Sequence, residues 1–169
     1  DLANIQQWGY ELPLQKLSGR AKISAQYKGK VGIKNDIKTD FEQAEKSADI
    51  ELTNTSFFYK PLTRFKDLKG SFRLRNNRLE IDSIKVSFGK ESNLKFIGAI
   101  ENLFNQNQES SIAGHLSSDW LKLSEIIVAD TTQESTPFIM PNNIMANITT
   151  NIKEASYKKF HMSNFQTKV

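Results

Sequence analysis

The chain has 169 residues, 38% of them hydrophobic and 25% charged, which excludes a disordered tail and leaves room for one domain or two small ones burying roughly two thirds of the unfolded surface. Its net charge is only +4, with 23 Lys and Arg interleaved among 19 Asp and Glu, so no long basic stripe tracks a phosphate backbone; nucleic-acid binding is disfavoured, and weak attraction to acidic lipid headgroups stays open. Cysteine is absent, which excludes disulfides and thiolate metal sites, and the longest apolar run, Ile126 to Ala129, is far short of the roughly 18 residues that cross a bilayer.

Taken in chain order, Ala21, Ile23, Ala25 and Tyr27 alternate with Lys22, Ser24 and Gln26, the period of a strand. Residues 31–40 read as a linker and Phe41 to Lys46 as a short helix, after which Ala48, Ile50 and Leu52 alternate with Asp49 and Glu51 in a second strand. Residues 68–103, LKGSFRLRNNRLEIDSIKVSFGKESNLKFIGAIENL, parse into three strands. Phe72 and Leu74 share one face, Asn76-Asn77 reverses the chain, and Leu79 and Ile81 return on the same side. The parity then changes, because Ile84, Val86 and Phe88 carry the oily face onward. One extra residue at Asp82-Ser83 restores it, so a bulge or sharp bend is expected there. After a turn at Gly89 to Ser92, Leu94, Phe96, Gly98 and Ile100 line the third strand, giving a sequential antiparallel meander. Ile112 and Leu116 flank Gly114 in a further strand. Ser117-Ser118 then reads as the cap of a helix over Asp119 to Val128, with Trp120, Leu123, Ile126 and Ile127 on one stripe.

The small polar run ADTTQESTP, residues 129–137, marks a linker. The expected organisation is a β-rich unit over 1–128 ending in the helix, the linker, and a second β-unit opening over 138–169 and continuing the same sheet. Alternation still runs through Phe160, Met162 and Phe165 near the end, and the chain reads as a segment of a larger protein. A faint repeat points the same way: Asp1 to Ile5 followed by Leu17 to Ile23 matches Asp119 to Leu123 followed by Ile144 to Thr150. The expected fold class is mainly β: a curved antiparallel meander sheet of groove or half-barrel type, with one or two short helices packed at an end or on the oily face.

Chemistry is hard to find. His115 and His161 are the two histidines, and neither sits in a metal-ligand spacing; no serine lies in a nucleophile elbow; the glycines are scattered singly as turn and bulge residues. Glu80, Asp82 and Glu91, beside Arg73, Arg75, Arg78 and Lys95, read as a solvated outer face with cross-strand ion pairs. No catalytic residue, metal site or cofactor is expected.

What remains is the oily face itself: Phe72, Leu74, Leu79, Ile81, Ile84, Val86, Phe88, Leu94, Phe96 and Ile100. Each contributes roughly 1.5–3 kcal/mol when buried, so something must cover them. Either the sheet folds over itself and the Trp120 helix closes an ordinary core, or a long curved sheet leaves a trough open for acyl chains.

At the 68–103 stretch, followed by HLSSDWLKLSEII and MPNNIMANITTNIKEASYKKFHMSNFQTKV, the chain resembles the AsmA-like family of large Gram-negative envelope proteins. The likeness covers most of residues 14–169 and rests on the Leu68-Lys69-Gly70 strand opening, Gly89, the Gly98 to Leu103 strand exit and the run from Pro141 to Tyr157. It implies a non-enzymatic periplasmic body of repeated β-units behind an inner-membrane anchor outside this segment. The implied role is phospholipid transport between membranes or outer-membrane homeostasis, with acyl chains as ligands held in β-grooves like those of bridge-like lipid-transfer proteins, and with other envelope proteins admitted as partners. The ten oily residues are then lipid-contact candidates. The alternatives are a β-sandwich-like module for protein or glycan contacts, and a structural spacer.

Overall fold

Period-two alternation becomes strand in nearly every segment of the computed structural model, which describes residues 14–30, 43–59, 64–104, 108–126 and 144–168. The strands are β1 (Leu14–Lys28), β2 (Glu45–Tyr59), β3 (Arg64–Arg75), β4 (Arg78–Phe88), β5 (Ser92–Glu101), β6 (Ser110–Lys122), β7 (Ile144–Tyr157) and β8 (Phe160–Lys168), and a short helix, α1 (Leu123–Ile126), follows β6. They form a single eight-stranded sheet in sequence order, mainly antiparallel and not closed into a barrel. The mainly β meander expected from the alternation is therefore the fold. One pair departs from strict antiparallelism: β7 runs parallel to β6, from Ser110 opposite Ile144 to Lys122 opposite Ser156. A parallel pair needs a crossover rather than a hairpin, and α1 opens that crossover.

Local chemistry sets the turns. Asn76 takes a φ of 51°, which Asn tolerates better than most residues. Its Oδ1 also accepts the Lys46 backbone N–H at 3.1 Å, tying the β3–β4 hairpin to the start of β2. The expected bulge is present. Ser71 pairs with Ser83 and Phe72 with Ile81 on one side of β4, while Ile81 pairs with Gly98 and Ile84 with Phe96 on the other, so Asp82 is the extra residue. It stays exposed and meets Arg73 Nη2 at 2.6 Å. Further register shifts break the β1–β2 and β2–β3 ladders, where Gly19 (φ 117°), Asn54 (φ 50°) and Asp67 (φ 52°) leave the β region. Bulges bend strands and increase their twist.

The helical expectations are corrected. Asp119 to Lys122 belong to β6 and only Leu123–Ile126 are helical, because pairing with β7 continues through Trp120 opposite Glu154 and Leu121 opposite Ala155. Positions 127 and 128 lie outside the described residues. Gln43 is helical, Ala44 bends and Glu45 and Lys46 open β2, so the helix expected over 41–46 ends by Gln43, and 41–42 also lie outside. So do the linkers at 31–40 and 129–137, and the first arm of the repeat at 1–5; its strand arms, Leu17 to Ile23 and Ile144 to Thr150, fall in β1 and β7.

Candidate functional site

Register, rather than any single motif, builds the apolar face. Ala25, Ala48, Leu74, Leu79, Ile100, Ile112 and Ala146 are successive cross-strand partners from β1 to β7. The next row is Ile23, Ile50, Phe72, Ile81, Gly98, Gly114 and Ile148, and the one beyond is Ala21, Leu52, Gly70, Ile84, Phe96, Leu116 and Thr150. Side chains two apart along a strand share a face, so these rows lie side by side on one surface. All ten oily residues singled out in the sequence fall on it. The sequence pattern had not shown that the rows run unbroken into β1, β2, β6 and β7.

An aromatic ring lies over two glycines at the centre of this face. A Cβ added to Gly98 or Gly114 would lie 2.8 or 2.6 Å from Phe96 Cζ, so the Phe96 ring covers the space beside both glycines. Gly70 is flanked in the same way by Ile84 and Phe72, at 3.3 and 3.4 Å from an added Cβ. Small residues in a strand mark places where another group approaches the backbone closely.

No second sheet covers this surface among the described residues, whose strands all belong to one layer. Most of the ten candidates are half-buried by their own neighbours, while Ile81 and Phe88 are buried. Phe88, 1% exposed, belongs to a closed end of the face, packed with Leu121, Ile152 and Ala155 and flanked by Phe65, Leu94, Leu123 and Ile126. Its ring meets Phe65 edge-on at 5.9 Å between centroids, and Phe65 stacks on Phe57 at 5.0 Å. Thus α1 caps one end, and the closure expected from a Trp120 helix stripe does not occur. Trp120 sits in β6 beside the His161 ring, 5.8 Å between centroids, and His161 Nε2 lies 2.7 Å from Glu154 Oε2.

What holds α1 down is polar. The Glu125 carboxylate accepts from Ser92 Oγ at 2.8 Å, and Ser92 Oγ in turn accepts the Lys122 backbone N–H at 3.0 Å. Burial alone would raise the Glu125 pKa, but hydrogen bonds from Ser92 and from the backbone of Lys90, Glu91 and Ser92 outweigh it and hold the carboxyl below its ordinary value. In the sequence alone, Glu125 has no assigned role. A pattern of apolar spacing carries no signal for a carboxylate seated on a turn from another part of the chain.

The opposite face is polar, as expected. Arg73 pairs with Glu80 and Asp82, Arg75 with Asp49, and Arg78 with Glu80 and Glu101. Lys95 and Glu91 have no ion pair among the described residues, contrary to their expected place in that network. His115 and His161 lie exposed on strands, the former bonded to Thr149 Oγ1 at 2.9 Å. No group of three His, Cys, Asp or Glu suited to a metal occurs among the described residues, and none of the described helices is long and apolar enough to cross a membrane. No protein-family model matches the chain, and neither a curated protein nor a solved structure does.

Proposed function

We propose that this is a non-enzymatic segment of the cell envelope that binds phospholipid acyl chains along the apolar face of its sheet, contributing to phospholipid movement between membranes or to outer-membrane homeostasis. One observation carries the reading: among the described residues, three adjacent rows of mostly apolar side chains cross seven strands of a single sheet, and a packed cluster closes the Phe88 end alone. Uncovered hydrocarbon on that scale is costly in water, and a ligand of hydrocarbon chemistry removes the cost without needing directional contacts. The Phe96 ring, lying across Gly98 and Gly114, supports a flat apolar floor on which a narrow chain can lie. The sequence resemblance to AsmA-like proteins supports the periplasmic setting and the lipid class. A sandwich module would cover the same face with a second sheet, and a spacer would have no use for continuous apolar rows.

The test is organic extraction and native mass spectrometry of the purified protein, beside a Phe96→Asp variant that places a charge on the open floor and leaves the capped end alone. Phospholipid should accompany the wild-type protein and fall at least tenfold in the variant, with the far-ultraviolet circular dichroism unchanged. A wild-type protein free of lipid, or a folded variant carrying as much as wild type, would exclude the groove.

A further inference from the structure

The polar face is divided. Toward the β3–β4 hairpin its arginines are matched by carboxylates: Arg73 with Glu80 and Asp82, Arg75 with Asp49, Arg78 with Glu80 and Glu101. Beyond the Asp82 bulge the matching thins to the Lys153–Asp119 pair. Lys69 is directly opposite Lys85, and Lys85 is directly opposite Lys95, so three ammonium groups stand in one row across β3, β4 and β5. None of the three has an ion pair among the described residues. Like charges placed directly opposite destabilise a sheet, and this sheet keeps two such pairs in succession, whereas the arginines of the hairpin end are compensated.

The surroundings donate hydrogen bonds instead of neutralising charge. The same row continues from Lys95 to Ser117 and Asn151, and the row beside it pairs Ser71 with Ser83. A cavity of about 470 Å³ opens beside Lys85 and Lys95, with Ser87, Asn93 and Ser117 on its wall. Its carboxylates are Asp67 and Asp119, and Asp119 is already engaged by Lys153 at 2.6 Å. At a strand spacing of about 4.8 Å the lysine row spans roughly 10 Å, a distance over which a multivalent oxyanion can engage two or three ammonium groups at once.

We propose that the Lys69–Lys85–Lys95 row is a binding site for a phosphate-bearing anion, on the face of the sheet opposite the apolar rows. Phosphate matches the site through its several acceptor oxygens and its charge, which Lys recognises as a point charge and Ser or Asn complete with directional bonds. Binding would relieve the like-charge row that the fold leaves uncompensated. The inference rests on the polar face alone and stands whether or not lipid occupies the other one.

The test compares the wild-type chain with Lys85→Gln/Lys95→Gln and with a charge-matched control, Lys28→Gln/Lys159→Gln. Calorimetric titration with inorganic pyrophosphate and co-sedimentation with vesicles of phosphatidylglycerol and phosphatidylcholine, against phosphatidylcholine alone, give two arms. Binding in at least one arm, weakened tenfold or more by the first variant and under twofold by the control, is the expected result. Binding in the vesicle arm alone assigns the site to a lipid headgroup, in the pyrophosphate arm alone to soluble phosphate, and in both to phosphate at large. No binding by wild type in either arm, or equal losses in the two variants, or no loss in the first, would overturn the proposal.

Discussion

Glu125 occupies the space that a side chain on Gly89 would need: a Cβ built on Gly89 runs into the Glu125 carboxylate, and Gly89 itself sits at a φ of 59°. The β4–β5 turn and α1 are therefore fitted to each other through a missing side chain. Gly89→Ala should lose about 1–3 kcal/mol from the left-handed backbone alone, with a further loss from displacing Glu125. In urea unfolding, Gly89→Ala/Glu125→Ala should be less destabilised than the sum of the single variants, because the second change removes the carboxylate from the clash, though not the Cβ of residue 125 or the backbone strain. Additive losses would mean that the two residues do not meet.

The same carboxylate gives the fold a pH dependence with a definite sign. Although burial opposes it, the hydrogen bonds from Ser92 and the turn backbone depress the Glu125 pKa below the ordinary carboxylate range. A carboxyl whose folded pKa is lower than its unfolded one adds stability that is fully present above the unfolded value and is lost as pH falls through the folded one. Wild type should therefore exceed Glu125→Gln in urea midpoint at neutral pH. The gap should narrow once the pH drops below about 4.5. A gap constant from pH 7 to pH 3 would count against the hydrogen-bonded carboxylate.

The capped and open ends of the apolar face should respond differently to the same truncation. Phe88 is 1% exposed and packed on all sides, so Phe88→Ala should cost about 3–5 kcal/mol. Phe72 is only half-buried, and Phe72→Ala should cost less than half of that, since water already reaches one side of the ring. Equal costs, read from chemical denaturation, would imply a cover over Phe72.

Deleting a residue from a strand normally sends everything beyond it to the wrong face. Asp82 is the exception. With it removed, Ser83 still faces Ser71 and Ile84 still faces Phe96, both ladders become regular, and the oily residues stay on their side. Deletion of Asp82 should leave a folded protein by circular dichroism, whereas deletion of Lys85 should send Val86 and Phe88 to the polar face and unfold it.

These contrasts also show why parts of the molecule could be read in advance. The Asn76-Asn77 hairpin and the Asp82 bulge are local: one needs a residue that tolerates positive φ, the other a slip in a period-two pattern. The stretch from Ser117 to Lys122 reads as helix in the sequence because Trp120, Leu123 and Ile126 satisfy a helical spacing and the strand signal is broken there by a change of side between Ser118 and Leu121, both buried. Only pairing with β7, distant in sequence, decides for strand through Lys122. The apolar residues of the face could be named individually, but their union into rows depends on register across several bulges. The lysine row was hidden for the same reason: Lys69, Lys85 and Lys95 are each unremarkable as surface residues until the ladders set them side by side.

Among the described residues each strand packs chiefly on its neighbours in sequence, with α1 against β7 and the Phe88 cluster joining β4 to β6 and β7 as further contacts. In free-energy terms such a sheet is a line rather than a ball, and cooperativity has to be passed from strand to strand. Amide protection should therefore be graded, strongest in β4 to β6, where the ladders meet the capped cluster, and weakest at β1 and β8, each of which has a single partner. Loss of an inner strand would uncouple the two sides, while loss of an edge strand would leave the remainder standing. Tolerance to truncation is thus a property of position across the sheet and not of how hydrophobic the removed strand happens to be.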